Sequence, residues 1–388
     1  MLNFSYHVPT KVYFGRGQLE RLGPALKDLG SRRVLLLYGG GSIKRSGLYD
    51  QVVAALGEHG IGFVDVGGVQ PNPRVSHVRA AAAACRREKV DAVLAVGGGS
   101  VIDEGKAVAA AVFYDGDPWD FCVGRARVER ALPLGTVLTL AATGSEMNAG
   151  AVISNDETRE KLPMFGACLK PRFSILDPTF TFTLPPVQTA AGVADIISHC
   201  FEQYFSPTPA TYLADRLAEA VIATCVAFGP QALARPDDYD ARAELMWASS
   251  WGLNDLLSCG KEGDWAVHMV EHELSALNDL SHGVGLAILT PAWMRFVADT
   301  PARVAKVAAY GRNVWRLDGT DDDVARAAAD KTASFFVDAM KLPGTLKEVG
   351  FGAADLKVAA KQATRFGPLG RFRKLNEGDV LTILRAAA

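Results

Sequence analysis

Between Val34 and Pro185, short runs rich in Val, Leu and Ile recur at 34–38, 61–66, 91–96, 136–140 and 173–176, with longer stretches between them. The runs are continuous rather than alternating, the mark of strands covered on both faces. The stretches between, such as 75–89 and 101–113, are long and alanine-rich enough for helices. This alternation predicts a parallel α/β sheet over residues 1–185. Past Leu184-Pro185-Pro186 the strand signal stops. Segments 187–205, 212–228, 241–258 and 265–277 carry apolar residues at helical spacing, so residues 186–388 are predicted to be all helical.

A chain of 388 residues is longer than one core usually serves, in keeping with two domains. Lys and Arg number 41 against 43 Asp and Glu, and a net charge of −2 lacks the positive field that nucleic-acid binding needs. No run of about 20 uninterrupted apolar residues is present, so no membrane span is expected. The expected partner is a small molecule. Residues 1–12 show neither the basic start nor the apolar core of a secretory signal, and the six cysteines form no Cys-x-x-Cys pair. Both features suit a cytoplasmic chain whose thiols serve as small buried hydrophobes.

Two glycine clusters follow predicted strands: Gly39-Gly40-Gly41-Ser42 after 34–38, and Gly97-Gly98-Gly99-Ser100 after 91–96. Lacking a Cβ, such turns let backbone approach a phosphate, and the helix start behind them offers free N–H groups. Neither is a full Gly-x-Gly-x-x-Gly, since Lys44 and Ile102 stand where the third glycine belongs. A hydroxyl-rich stretch from Thr139 through Thr143, Gly144, Ser145 and Glu146 to Asn148 follows the fourth strand, at the end where open α/β sheets bind ligands.

Of the seven histidines, His7, His59 and His77 fall in the α/β half, while His199, His268, His272 and His282 crowd into the helical half. Asp195 and His199 stand four apart, as do His268 and His272, so on helices each pair projects from one face. Buried ionisable groups of this kind, set among Val, Ala, Ile, Met and Leu, are costly unless paired or metal-bound. Carboxylate plus imidazoles suit a divalent first-row metal such as Fe(II) or Zn(II), with too few oxygens for calcium or magnesium. Cys200 is turned about 100° from His199 and is not expected to join them.

With these residues in view the chain resembles the iron-containing (group III) alcohol dehydrogenases, and within them the NADPH-dependent aldehyde reductase and butanol dehydrogenase branch. The likeness runs from Pro9-Thr-Lys-Val-Tyr-Phe-Gly15 through Pro71-Asn72-Pro73, Gly97-Gly-Gly-Ser-Val-Ile-Asp103-Glu-Gly-Lys106 and Ala142-Thr-Gly-Ser-Glu146 to the Asp195/His199 and His268/His282 pairs. It implies an α/β dinucleotide-binding domain over 1–185 and an all-helical metal-binding domain over 186–388. It implies Asp195, His199, His268 and His282 as metal ligands. Asn72, Gly98, Gly99, Ser100, Thr139, Thr143 and Lys161 would line the coenzyme, with Asp103 supporting that loop. His272, one turn past His268, would pass a proton or brace a ligand. The implied reaction is hydride transfer between NAD(P)H and a small aldehyde or primary alcohol. Relatives commonly dimerise, so a homodimer is expected.

The rivals are a metal- and nicotinamide-dependent lyase resembling dehydroquinate synthase, whose typical zinc site uses a Glu and two His, and a non-catalytic nucleotide-binding regulator. The first disagrees with an Asp-plus-His set, and the second leaves the histidines without a role. The 39–42 turn carries no acid to meet a ribose 2′-hydroxyl, while Lys44 and Arg45 follow it; NADP(H) is therefore expected ahead of NAD(H).

Overall fold

A computed structural model describes residues 1–388. The chain divides into two compact units: an α/β unit of His7–Leu184 with Pro236–Ser250, and a helical unit of Met1–Tyr6, Pro185–Arg235 and Trp251–Ala388. Residues 236–250 join the α/β unit through side chains: Ser250 donates to the buried Glu146 (2.5 Å), and the Tyr239 ring lies 4.1 Å from the Arg16 guanidinium.

Eight strands form in the α/β unit: β1 (Lys11–Phe14), β2 (Arg33–Gly39), β3 (Gly62–Val69), β4 (Ala92–Gly97), β5 (Leu134–Leu138), β6 (Gly150–Asn155), β7 (Glu160–Phe165) and β8 (Phe173–Leu176). Six make one sheet in the order β1-β8-β5-β4-β2-β3, and every neighbouring pair is parallel. The continuous apolar runs are explained by two cores. Leu35, Leu37, Val93 and Ala95 face one layer with Val78, Ile102 and Val108, while Val34, Leu36, Leu94 and Val96 face the other with Val52 and Leu56. Each Val, Leu or Ile among them contributes about 1.5–3 kcal/mol on burial. From β2 the chain goes to β3 on one side and then to β4 on the other, so the carboxyl ends of β2 and β4 flank the reversal of strand order.

Two elements carry no readable strand pattern. Edge strand β1 is four residues long and half-exposed. β6 and β7 pair as an antiparallel hairpin outside the main sheet, and Pro163, an unusual strand residue, sits within β7.

The helical unit opens at Pro186–Tyr204, with proline in its first turn, and continues through Tyr212–Ala234, Ala266–Asn278 and His282–Val297 to Glu377–Ala386. From Thr189 to Tyr204 every residue is buried, so this helix forms the centre of the unit. His282–Val297 lies against it at the closest possible range: a Cβ on Gly283 would stand 2.0 Å from the Ala191 carbonyl oxygen. The Tyr212–Ala234 helix is long and apolar enough to cross a membrane by length and composition, yet its Asp215 binds Lys261 (3.0 Å) and Lys306 (2.6 Å) of the same unit. Cys85, Cys200 and Cys225 are buried as expected, whereas Cys168 is exposed; burial pushes the Cys85 thiol up to about 12.

Candidate active site

Both glycine turns stand at the carboxyl edge of the sheet, side by side, since Tyr38 of β2 pairs with Val96 of β4. Behind them start the short Ser42–Arg45 helix and the Gly99–Ala111 helix. A Cβ on Gly99 would fall 2.4 Å from the Thr143 side chain, so glycine here lets Thr143 close on the loop. The Thr139 N–H donates to the Gly97 carbonyl (3.0 Å) and holds the next strand end beside it. Asn72, buried and with φ of 54°, follows β3 on the same edge. The Ser154 N–H donates to the Pro73 carbonyl (2.8 Å), and Ser154 pairs with Lys161 across the β6–β7 hairpin. The hairpin thereby carries buried Lys161 to the Asn72 segment.

Asp103 sits behind the loop, accepting from Ser145 Oγ (2.5 Å) and the Val152 N–H (2.8 Å). Lys106, fully buried, donates to Ser145 Oγ (2.8 Å), Asn148 Oδ1 (2.9 Å) and the Gly150 carbonyl (2.7 Å). Together these bonds fasten the Gly99–Ala111 helix to residues 145–152, a role that the sequence reading did not assign to Lys106. At the other turn, a Cβ on Gly40 would meet nothing within 4 Å. Lys44 Nζ lies 4.8 Å from the Tyr38 ring and 4.6 Å from the Tyr49 ring, and Tyr38 in turn donates to Asp65 Oδ2 (3.2 Å). An acid is therefore near this turn, brought from mid-β3, although none lies within it.

The helical unit gathers the other candidates into one buried cluster. Asp195 Oδ1 is faced by His199 Nδ1 at 3.5 Å, His282 Nε2 at 3.6 Å and His268 Nε2 at 3.9 Å. Donors about 2.1 Å from a shared tetrahedral cation stand about 3.4 Å apart, close to these separations. His199 Nδ1 and His268 Nε2 are buried without a hydrogen-bond partner, a state costing about 1–3 kcal/mol for each group unless a cation takes the lone pair. Burial, reinforced by His268 and His282, pulls His199 well below the ordinary imidazole value and keeps it neutral, the form that binds metal.

Two carboxylates that the sequence reading left unassigned orient these rings. Glu202 Oε1 accepts from the His268 backbone N–H (2.9 Å) and faces His268 Nδ1 (2.8 Å). Glu271 bonds His282 Nδ1 and is itself held by the Ser275 hydroxyl. A carboxylate on Nδ1–H leaves the Nε2 lone pair directed at Asp195. His272 is buried, its ring centroid 5.5 Å from that of His282. Glu271, His272 and His282 also lie close enough to share an ion. In that trio Glu271 is already engaged with Ser275 and His282, so the Asp195 cluster is the better cation site. The residues present thus fit a divalent metal.

Residues 9–178 match the family model for the iron-containing alcohol dehydrogenases, and residues 189–388 match that for the C-terminal part of the Fe-containing alcohol dehydrogenase family. The chain is 49% identical to NADH-dependent butanol dehydrogenase A of Clostridium acetobutylicum, covering 99% of both proteins. It is 41% identical to the NADPH-dependent aldehyde reductase YqhD of Escherichia coli, over 99% of this chain and 97% of that one. The crystal structure of NADH-dependent butanol dehydrogenase A from Thermotoga maritima superposes with a TM-score of 0.96 at 41% identity, covering 100% of this chain and 99% of that one. Matched in both units and along nearly its whole length, the chain belongs to the iron-containing alcohol dehydrogenase family, and its chemistry is nicotinamide-dependent, metal-dependent alcohol–aldehyde oxidoreduction.

Proposed function

We propose that the enzyme interconverts small aldehydes and primary alcohols, holding one divalent cation, Fe(II) or Zn(II), on Asp195, His199, His268 and His282. The coenzyme lies over the 39–42 turn, Asn72, the 97–100 loop, Thr139, Thr143 and Lys161, with Asp103 bracing the loop from behind. The observation that carries this reading is the convergence of three imidazole nitrogens on Asp195 Oδ1, two of them buried and unsatisfied. When bound, the metal supplies a Lewis acid for the substrate oxygen and the coenzyme supplies or accepts the hydride. Around them this chain's residues orient and exclude: Glu202 and Glu271 fix the His268 and His282 tautomers, and the burial of Asp195, His199 and His268 limits the approach of water on their side, while His282 stays partly exposed. His272, its ring centroid 5.5 Å from that of His282, is proposed to act at the site either by passing a proton to the substrate oxygen or by bracing that ligand. With the family established, the lyase and regulator readings are set aside.

His282→Ala is expected to lose most bound metal and activity together, read by metal analysis beside turnover. A folded variant with a full equivalent of metal and unchanged turnover would overturn the ligand assignment. His272→Ala is expected to keep its metal and lose rate; loss of metal would make His272 a ligand.

The preferred coenzyme is proposed to be NADPH. The turn lacks an acid, Gly40 faces open space, and Lys44 and Arg45 stand at its border. The name of the aldehyde reductase agrees with this preference and the names of the butanol dehydrogenases oppose it. Charge-assisted contacts to a 2′-phosphate are worth about 1–3 kcal/mol, or roughly ten- to a hundredfold in KM. Gly40→Asp is expected to erode or reverse the preference, and kcat/KM for both coenzymes on both proteins decides. A wild type that uses NADH as well as NADPH sinks the idea. The partner set is completed by a second copy of the chain, which light scattering tests. Six free thiols support a reducing, cytoplasmic setting.

A further inference from the structure

We propose that His77 and Glu104 form a positioning pair that sets the spacing between the two segments cradling the coenzyme. This rests on reading the 97–100 loop as the coenzyme loop. His77 Nδ1 stands 2.5 Å from Glu104 Oε1, with the Glu104 side chain 0% exposed and that of His77 30% exposed. His77 lies in the first turn of the Val75–Glu88 helix, just after the Asn72 segment, while Glu104 lies one turn inside the Gly99–Ala111 helix, just after the 97–100 loop. One imidazole thus ties the helix behind the Asn72 segment to the helix behind the 97–100 loop. Asp103 and Lys106 fasten their helix to residues 145–152. Glu104, next to Asp103 and about 100° around the helix, ties the same helix to the one bearing His77.

Stability alone does not account for the pair. Glu104 Oε2 is buried with no hydrogen-bond partner, and burial pushes its carboxyl upward against the pull of His77. A buried ion pair of this kind is often matched or bettered in stability by apolar residues of similar volume. What apolar residues cannot supply is a short, directional link that fixes two helices at one separation. Loops held at another separation must be brought back to bind the coenzyme, and that reorganisation costs affinity.

The test is the double variant H77L/E104L beside the single Glu104→Gln, with NADPH and NADH titrated onto each metal-loaded enzyme by nucleotide fluorescence. The expected result for the double variant is a coenzyme Kd about tenfold weaker. Metal content, Tm and kcat at saturating coenzyme should stay at wild-type level. Glu104→Gln, which keeps the shape but loses the charge, should show a smaller weakening in the same direction, and it decides the matter should the double variant fail to fold. An unchanged Kd in the folded variants overturns the proposal, as does a loss confined to Tm. Ser100→Asp separates the two readings. If it weakens the coenzyme while the pair variants do not, the pair proposal fails alone; if it also leaves Kd unchanged, the coenzyme-loop reading fails.

Discussion

At the scale of single residues, the metal cluster depends on hydrogen bonds that decide which nitrogen of each imidazole is free. Glu202 on His268 and Glu271 on His282 each accept from Nδ1–H, and both acceptors are buried. Glu202→Gln or Glu271→Gln keeps the shape but offers an amide that can donate as well as accept, so the tautomer with its lone pair on Nδ1 becomes competitive. Metal affinity is expected to fall about 10–100-fold in either variant, measured by titration against a competing chelator. Equal affinity in both variants and wild type would remove these carboxylates from the orienting role. Their part was hidden in the sequence for a physical reason. Glu202 and Glu271 stand three residues after His199 and His268 on the same helices, where they read as ordinary charged neighbours. Glu202 acts instead on a ring 66 residues away, a contact made only when the two helices pack.

At the scale of elements, legibility largely follows burial; β3 is the exception, since its run at 61–66 is readable although this edge strand is mostly half-exposed rather than covered on both faces. Strands β2, β4, β5 and β8 are covered on both faces, and their apolar runs, broken in β5 by Gly135 and Thr136 and in β8 by Ser174, announced them. β1 has one short, half-exposed turn of pattern, and the β6–β7 hairpin bears a proline, so neither stood out although the hairpin places Lys161. The Gly99–Ala111 helix shows how an element can be both scaffold and site. Its first backbone N–H groups have no partner within the helix, and its positive end favours an anion. Ser100→Asp puts a fixed carboxylate there, which suits the helix but competes with a coenzyme phosphate. Tm is therefore expected to hold or rise, while the coenzyme KM increases about tenfold or more and metal content stays constant. A KM that does not move would return the 97–100 loop to a tight turn without a ligand.

At the scale of the whole molecule, each unit carries one half of the chemistry: all the metal donors lie between 195 and 282 in the helical unit, and all the coenzyme candidates lie between 39 and 161 in the α/β unit. A cation that binds only the folded helical unit stabilises it by RT ln(1 + [M]/Kd), about 4 kcal/mol at a thousandfold excess over Kd. Its removal leaves His199 Nδ1 and His268 Nε2 buried without partners, and the Gly283 contact holds the helix bearing His282 against the helix bearing both Asp195 and His199. Chelation is therefore expected to raise amide hydrogen exchange in Pro186–Tyr204, Ala266–Asn278 and His282–Val297 and to leave β2 and β4 protected as before. NADPH should do the converse, slowing exchange at the start of Gly99–Ala111 without protecting the three helices. If chelation exposed the sheet strands as strongly as the helices, the two units would unfold as a single cooperative body, and the metal's stabilisation would belong to the whole chain rather than to the helical unit.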